Sequence, residues 1–303
     1  MKSPIDKVRA RGGNKIIQVL VTRACDLFYC SNCTQLLPLR GGHHARPDHD
    51  PMHMSPDVFR KALRGLMGWP GVIAMFGGNP CVHPQFEELC QIMREEVPDS
   101  KHRGLWTNNL RGHGDVIAKT FTPGISTFNL NLHAVDDAAV EMERHLPGVP
   151  IWGRGKSSHH APILIDYRDV GMTEAQWVAA RESCDINQNW SGAVVERFGE
   201  PWGYFCEVAS SIDAVTGKNH GVPATEGWWR RGMDRFDRQV KYCCDAGCGV
   251  PLRAKGHQDS DDAYDVSERW VELTVGSKAK HVGLVADVAS HTHEVTDYVG
   301  LRK

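Results

Sequence analysis

The sequence predicts an α/β protein in which a β/α repeat fills the first two thirds of the chain and a small cysteine-rich extension follows. Three observations carry this reading. Compact β-branched or alternating runs near 15–22, 71–77, 102–108, 125–133 and 161–168 read as strands. Apolar residues recur at helical spacing over 56–68, 84–97 and 173–184, and strands alternating with helices build a sheet from β/α units. Ten cysteines in 303 residues are too sparse for a disulfide scaffold, yet they fall in groups, which points to metal or redox chemistry.

Lys plus Arg number 35 and Asp plus Glu 37, a formal charge of −2, so the chain lacks the basic excess that drives non-specific nucleic-acid binding. No apolar run approaches the roughly 18 residues that span a bilayer. The opening MKSPIDKVRARGGNK has no apolar stretch behind its charges. The expectation is therefore a cytoplasmic protein without signal peptide or membrane anchor.

The first strand, Ile16 to Val21, runs into a loop holding Cys25, Cys30 and Cys33. Three thiolates after a strand can hold metal: a 4Fe-4S cluster with one open iron, or zinc completed by His43, His44, His49 or His53. The second strand, Val72 to Phe76, ends in Gly77, Gly78, Asn79 and Pro80, where adjacent glycines let backbone approach a ligand closely. In the helix beyond, Phe86, Leu89, Cys90 and Met93 share a face, so Cys90 reads as a core thiol, while Cys81 has no assignment. The third strand ends in Thr107, Asn108 and Asn109. The fourth alternates Phe128, Leu130 and Leu132 against Asn129, Asn131 and His133, which places the polar set on one face. Asp166 and Arg168 sit on one side of a fifth strand. The helix at 173–184 opens with a capping box, Thr173 and Gln176, and Ala193 to Val195 offer a sixth short strand.

On the Cys25–Cys30–Cys33 loop and the Gly77–Gly78–Asn79–Pro80 strand end, the chain resembles the radical S-adenosylmethionine (SAM) superfamily. It departs from the usual pattern in three places. Four residues rather than three separate Cys25 from Cys30, Asn32 replaces the aromatic before the last cysteine, and Asn79 replaces a glutamate. The resemblance implies a partial (β/α)6 barrel over 1–200, with Cys25, Cys30 and Cys33 on a SAM-binding 4Fe-4S cluster. It implies SAM contacts from Gly77, Gly78, Asn79, Pro80, Thr107 and Asn108. The polar face of Asn129, Asn131 and His133 either meets SAM ribose or substrate inside the barrel or is simply solvated.

In the C-terminal half, Trp229, Met233, Phe236, Val240 and Cys243 are spaced by 4, 3, 4 and 3, which predicts one helix after a turn-rich hairpin. Cys184, Cys206, one of Cys243 or Cys244, and Cys248 resemble the auxiliary-cluster (twitch or SPASM-like) extension of radical SAM enzymes, here 201–255. Four thiolates suit a closed 4Fe-4S cluster or zinc. Residues 256–303 form a polar tail without a motif. The resemblance implies reductive SAM cleavage to a 5′-deoxyadenosyl radical and hydrogen abstraction from a small-molecule, nucleotide or peptide substrate, with flavodoxin or ferredoxin as reductant. The alternative from another class is a non-catalytic, zinc-stabilised binding module.

Overall fold

The computed structural model describes residues 1–10, 15–27, 52–133, 135–154, 166–168, 171–184, 186–187, 192–246 and 248–252. Its spine is an eight-stranded sheet. In chain order the strands are β1 (Ile16–Thr22), β2 (Val72–Gly77), β3 (Arg103–Thr107), β4 (Thr127–Asn131), β5 (Ile151–Trp152), β6 (Gly192–Arg197), β7 (Glu200–Tyr204) and β8 (Val222–Pro223). They lie side by side as β5-β4-β3-β2-β1-β6-β7-β8. β1 through β6 pair in parallel, and β7 and β8 add antiparallel.

Seven helices of six or more residues accompany the strands among the described residues: α1 (Pro4–Arg9), α2 (Pro56–Gly65), α3 (Phe86–Glu96), α4 (Gly114–Thr120), α5 (Ala138–His145), α6 (Glu174–Glu182) and α7 (Glu207–Val215). α2, α3 and α6 match the expected helices within a few residues. The capping box of Thr173 and Gln176 is in place at the start of α6.

β1 is buried along its whole length, as a central parallel strand covered on both faces must be. One face of the sheet carries the main core, with Ile17, Val19, Ile73, Met75, Leu105 and Leu130. The other holds a small cluster of Ile16, Ala74 and Trp106. Trp106 pairs with Asn129 across β3 and β4, so Asn129 and Asn131 project on the Trp106 side and Leu130 into the main core. The expected two-residue alternation of β4 is thus present.

Three expectations change. The segment 161–165 lies outside the described residues; Tyr167–Arg168 is a turn, and the fifth strand of the sheet is Ile151–Trp152. Arg168 there folds back onto Asp166, Nε to Oδ1 at 2.7 Å. The stretch after β7 is not only turn and hairpin, because Glu207–Val215 forms α7. The single helix expected over 229–243 is instead a broken run: 3-10 turns at Trp228–Arg230 and Met233–Phe236, one α turn at Asp237–Gln239, and a π turn at Val240–Cys244. Residues 256–303 lie outside the described residues.

Candidate functional site

Parallel strands deliver their C-terminal ends to one edge of the sheet, and the residues that follow β1, β2 and β3 meet there. Gly78 N–H donates to the Thr22 carbonyl at 3.0 Å, and Asn79 N–H to the Ala24 carbonyl at 2.8 Å. The Gly77–Gly78–Asn79 turn is therefore stitched to the chain as it enters the cysteine loop. A Cβ on Gly77 would collide with the Thr22 carbonyl oxygen. One on Gly78 would collide with the Ala24 carbonyl and come within 2.8 Å of the Cys25 Cβ. The glycines are thus required by this protein-to-protein approach, a reason the sequence reading did not contain.

Asn79, fully buried, is a junction. Its Oδ1 accepts from the Thr107 hydroxyl (2.8 Å) and Cys81 N–H (3.1 Å), and its Nδ2 donates to Asp26 Oδ1 (3.1 Å) and the Asn109 carbonyl (3.0 Å). Asn108 Nδ2 donates to the same Asp26 oxygen at 3.1 Å. Asp26 follows Cys25 directly, so the carboxylate absent at position 79 has a counterpart one residue beyond the first cysteine. Among the described residues, Asn108 Oδ1 is buried without a hydrogen-bond partner. An unpaired buried acceptor beside a carboxylate is suited to a cationic N–H donor such as an amino-acid ammonium.

Cys25 is half-buried, and its sulfur accepts from Leu27 N–H at 3.4 Å. Cys30, Cys33, His43, His44 and His49 lie outside the described residues. His53 Nδ1 is hydrogen-bonded to Thr22 Oγ1 at 2.9 Å, and its ring meets His83 edge-on. Cys81, buried, lies 3.4 Å from Thr107 Oγ1, and Cys90 is a core thiol in α3. Pro80 starts the short 3-10 turn capped by Asn79. On β4, Asn131 Oδ1 accepts from His133 N–H at 3.2 Å, which holds His133 in a left-handed conformation, φ +48°.

The second group assembles more completely. Cys184, Cys206, Cys243, Cys244 and Cys248 all line one small cavity. They arrive from four places: the end of α6, the residue capping the N-terminus of α7, the π turn and the loop after it. Burial holds four of these thiols protonated. It pushes Cys206 up to about 12 and Cys243, Cys244 and Cys248 well above the ordinary thiol range. After burial, the other cysteines are the chief charges opposing ionisation of Cys244 and Cys248. Such thiols ionise when a metal replaces their protons.

The two adjacent cysteines part company. Cys243 Sγ donates to Asp213 Oδ1 at 3.4 Å. Asp213 also accepts from the Tyr204 hydroxyl at 2.9 Å and from His220 N–H, and His220 Nδ1 lies 2.5 Å from its Oδ1. The ligand-type atoms of Asp213, His220 and Cys243 lie within 4.8 Å of one another. That network satisfies Asp213 without metal. Cys244 has Cys248, Cys206, Cys243 and Cys184 as thiol neighbours. All five line the cavity, and with Cys243 hydrogen-bonded to Asp213 the other four, Cys184, Cys206, Cys244 and Cys248, are a set chemically suited to a closed iron–sulfur or zinc site. Cations border it: Arg181 lines the cavity, and Lys7 stands behind Cys206.

No family model matches the chain, and no curated protein matches it. Among solved structures, one described as BtrN in complex with AdoMet and 2-DOIA aligns over 60% of this chain and 68% of its own, at 16% identity and a TM-score of 0.31. That likeness is too loose for a residue-by-residue comparison. Among the described residues, no helix is long and apolar enough to cross a membrane.

Asp26, Arg181 and Lys7 were missed at the sequence level. Asp26 had a visible signal, an acidic residue abutting the first cysteine. The two cations had none, since charge on a short helix ordinarily means a solvated face.

Proposed function

We propose that this protein is a radical SAM enzyme with an auxiliary four-thiolate cluster in its C-terminal half. The supporting observation is that the Gly77–Gly78–Asn79 turn, some fifty residues from Cys25 in the chain, is hydrogen-bonded onto the backbone that leads into Cys25. Cys25, Cys30 and Cys33 would hold a 4Fe-4S cluster, which would supply the electron for reductive SAM cleavage and so the radical chemistry at a substrate C–H. The protein's share is placement. Asp26 and Asn108 Oδ1 accept the SAM ammonium, and Asn79 holds both Asp26 and Thr107 at the correct separation. Asn129 and Asn131 offer amides on the Trp106 side of the sheet to the ribose or the substrate. Cys184, Cys206, Cys244 and Cys248 hold the second cluster, and a flavodoxin or ferredoxin serves as reductant.

The test is anaerobic reconstitution followed by iron, sulfide and zinc analysis and an assay for 5′-deoxyadenosine after reduction. Two clusters and SAM cleavage that vanishes in Cys25→Ala, Cys30→Ala and Cys33→Ala are expected. Stoichiometric zinc without iron would overturn the reading in favour of a zinc-stabilised module.

A further inference from the structure

Lys7 is fully buried, which is rare for a lysine and costly unless something nearby favours its charge. Its placement is built rather than incidental. α1 is fixed by a capping box in which Ser3 accepts from Asp6 N–H and Asp6 from Ser3 N–H. From that helix the Lys7 ammonium crosses to donate to the Phe205 carbonyl at 2.6 Å and lies 5.7 Å from the centre of the Phe205 ring. Phe205 lines the cysteine cavity and immediately precedes Cys206. Burial lowers the Lys7 pKa to about 8, and the acidic groups near enough to support its charge once ionised are Cys206, Cys184 and Cys244, followed by Glu207. Three of the cavity cysteines thus neighbour the ammonium together with one buried carboxylate.

Four thiolates around a core of charge +2, whether zinc or an oxidised 4Fe-4S unit, leave a site of charge −2 among buried side chains. We propose that Lys7 is the built-in counter-charge of this site, a positioning residue that stabilises the thiolate form and holds the reduction potential of a resident cluster above the value its burial alone would give. The proposal rests on the auxiliary-cluster reading. It assigns a role to an N-terminal helix that otherwise belongs to no site. A fixed cation favours the more negative, reduced state, so removing it must lower the potential.

The experiment is a spectroscopically monitored redox titration of full-length, anaerobically reconstituted protein carrying Cys30→Ala, so that only the C-terminal cluster reports. Lys7→Met keeps the length and apolar stem of the side chain and removes the charge, while Lys7→Arg keeps the charge. The expected result is a cluster in both variants, with the reduction equilibrium of Lys7→Met shifted at least tenfold towards the oxidised form, about 59 mV for one electron, and that of Lys7→Arg close to the parent. A Lys7→Met cluster with the parent potential overturns the proposal. If Lys7→Met fails to hold the cluster, retention in Lys7→Arg supports a charge role, and loss from both variants reduces Lys7 to packing and overturns it. Absence of any cluster from the Cys30→Ala parent overturns the auxiliary-cluster reading itself, an outcome separate from all of these.

Discussion

Cys243 and Cys244 are chain neighbours with different partners, and the difference decides what each can do. Cys243 donates a hydrogen bond to Asp213, which the Tyr204 hydroxyl and His220 also satisfy, whereas Cys244, lining the same cavity, has Cys248 and Cys206 as its first thiol neighbours. Cys244→Ala is therefore expected to remove about one cluster's iron and sulfide. Cys243→Ala should keep the full complement and cost about 1–2 kcal/mol of stability from a lost buried hydrogen bond and a small void. Iron analysis with a denaturant titration reads both, and equal iron loss in the two variants would contradict the division. The sequence left this choice open because spacing cannot say which of two adjacent side chains faces inward when the backbone is not a regular helix. The thiol positions at 184, 206 and 248 were legible because cysteine is chemically conspicuous. Asp26 was less so, since an acidic residue in a loop carries no signal until Asn79 and Asn108 are seen to converge on it.

Where an element departs from regularity, the departure serves the site. The apolar 4-3-4-3 spacing from Trp229 to Cys243 promised one helix, yet the run passes through 3-10 and α turns into a π turn closed by Asp245 N–H to the Val240 carbonyl at 2.8 Å. Such a widened turn re-aims the residues at its end, and π turns recur at functional positions. Periodicity could not reveal it, because local spacing reports which residues are apolar and not how tightly the backbone is wound. α2, α3 and α6 were legible for the opposite reason: α2 and α3 each bury an apolar stripe, and α2 and α6 have side-chain caps, Ser55 and Thr173. The Gly77–Gly78 turn was legible as a strand end, but its neighbour was not. Because a side chain at Gly78 meets the Ala24 carbonyl and the Cys25 Cβ, Gly78→Val is expected to displace the first cysteine as well as the SAM corner. Iron content should fall by about one cluster and SAM binding with it, at a stability cost of about 1–3 kcal/mol. A variant with normal iron and normal SAM affinity would show that the strand end yields without disturbing Cys25.

Across the whole molecule, the sheet order places the last parallel strand, β6, beside β1 rather than beyond β5, so β1 sits at the centre with the first-cysteine loop at its exit and the C-terminal half built outward from its other flank. Gln18 of β1 is a buried polar neighbour of Glu207, the residue after Cys206, which brings the central strand up to the second site. Compact apolar runs, and alternation in β4, marked β1 to β4 and β6 but could not order them, since pairing is settled by contacts distant in the chain. The global fold also has a pH dependence that geometry makes explicit. His83 Nδ1 accepts from Gln85 N–H at 3.0 Å and its Nε2 lies 2.9 Å from the Met54 carbonyl, so the neutral ring satisfies both groups. Burial lowers its pKa from 6.5 to about 4. A depressed folded-state value means this contribution is complete above pH 6.5 and is lost as pH falls towards 4, on the order of 3 kcal/mol. Denaturation of the parent and His83→Gln across that window should show a smaller decline in the variant, and parallel curves would refute the assignment.

The cysteine cavity has a consequence for how the chain comes to maturity. Its walls include Met1, the end of α6, the start of α7 and residues as late as Pro251, so the site closes only after the described chain has been made almost in full. A metal bound there acts as a clasp on segments that synthesis delivers far apart in time, and its binding energy becomes folding energy for them. Iron supply would then govern survival as well as activity. The metal-free chain should be cut by a protease between α7 and residue 252 at least tenfold faster than the reconstituted form, and equal rates of cleavage would mean that the clasp holds nothing.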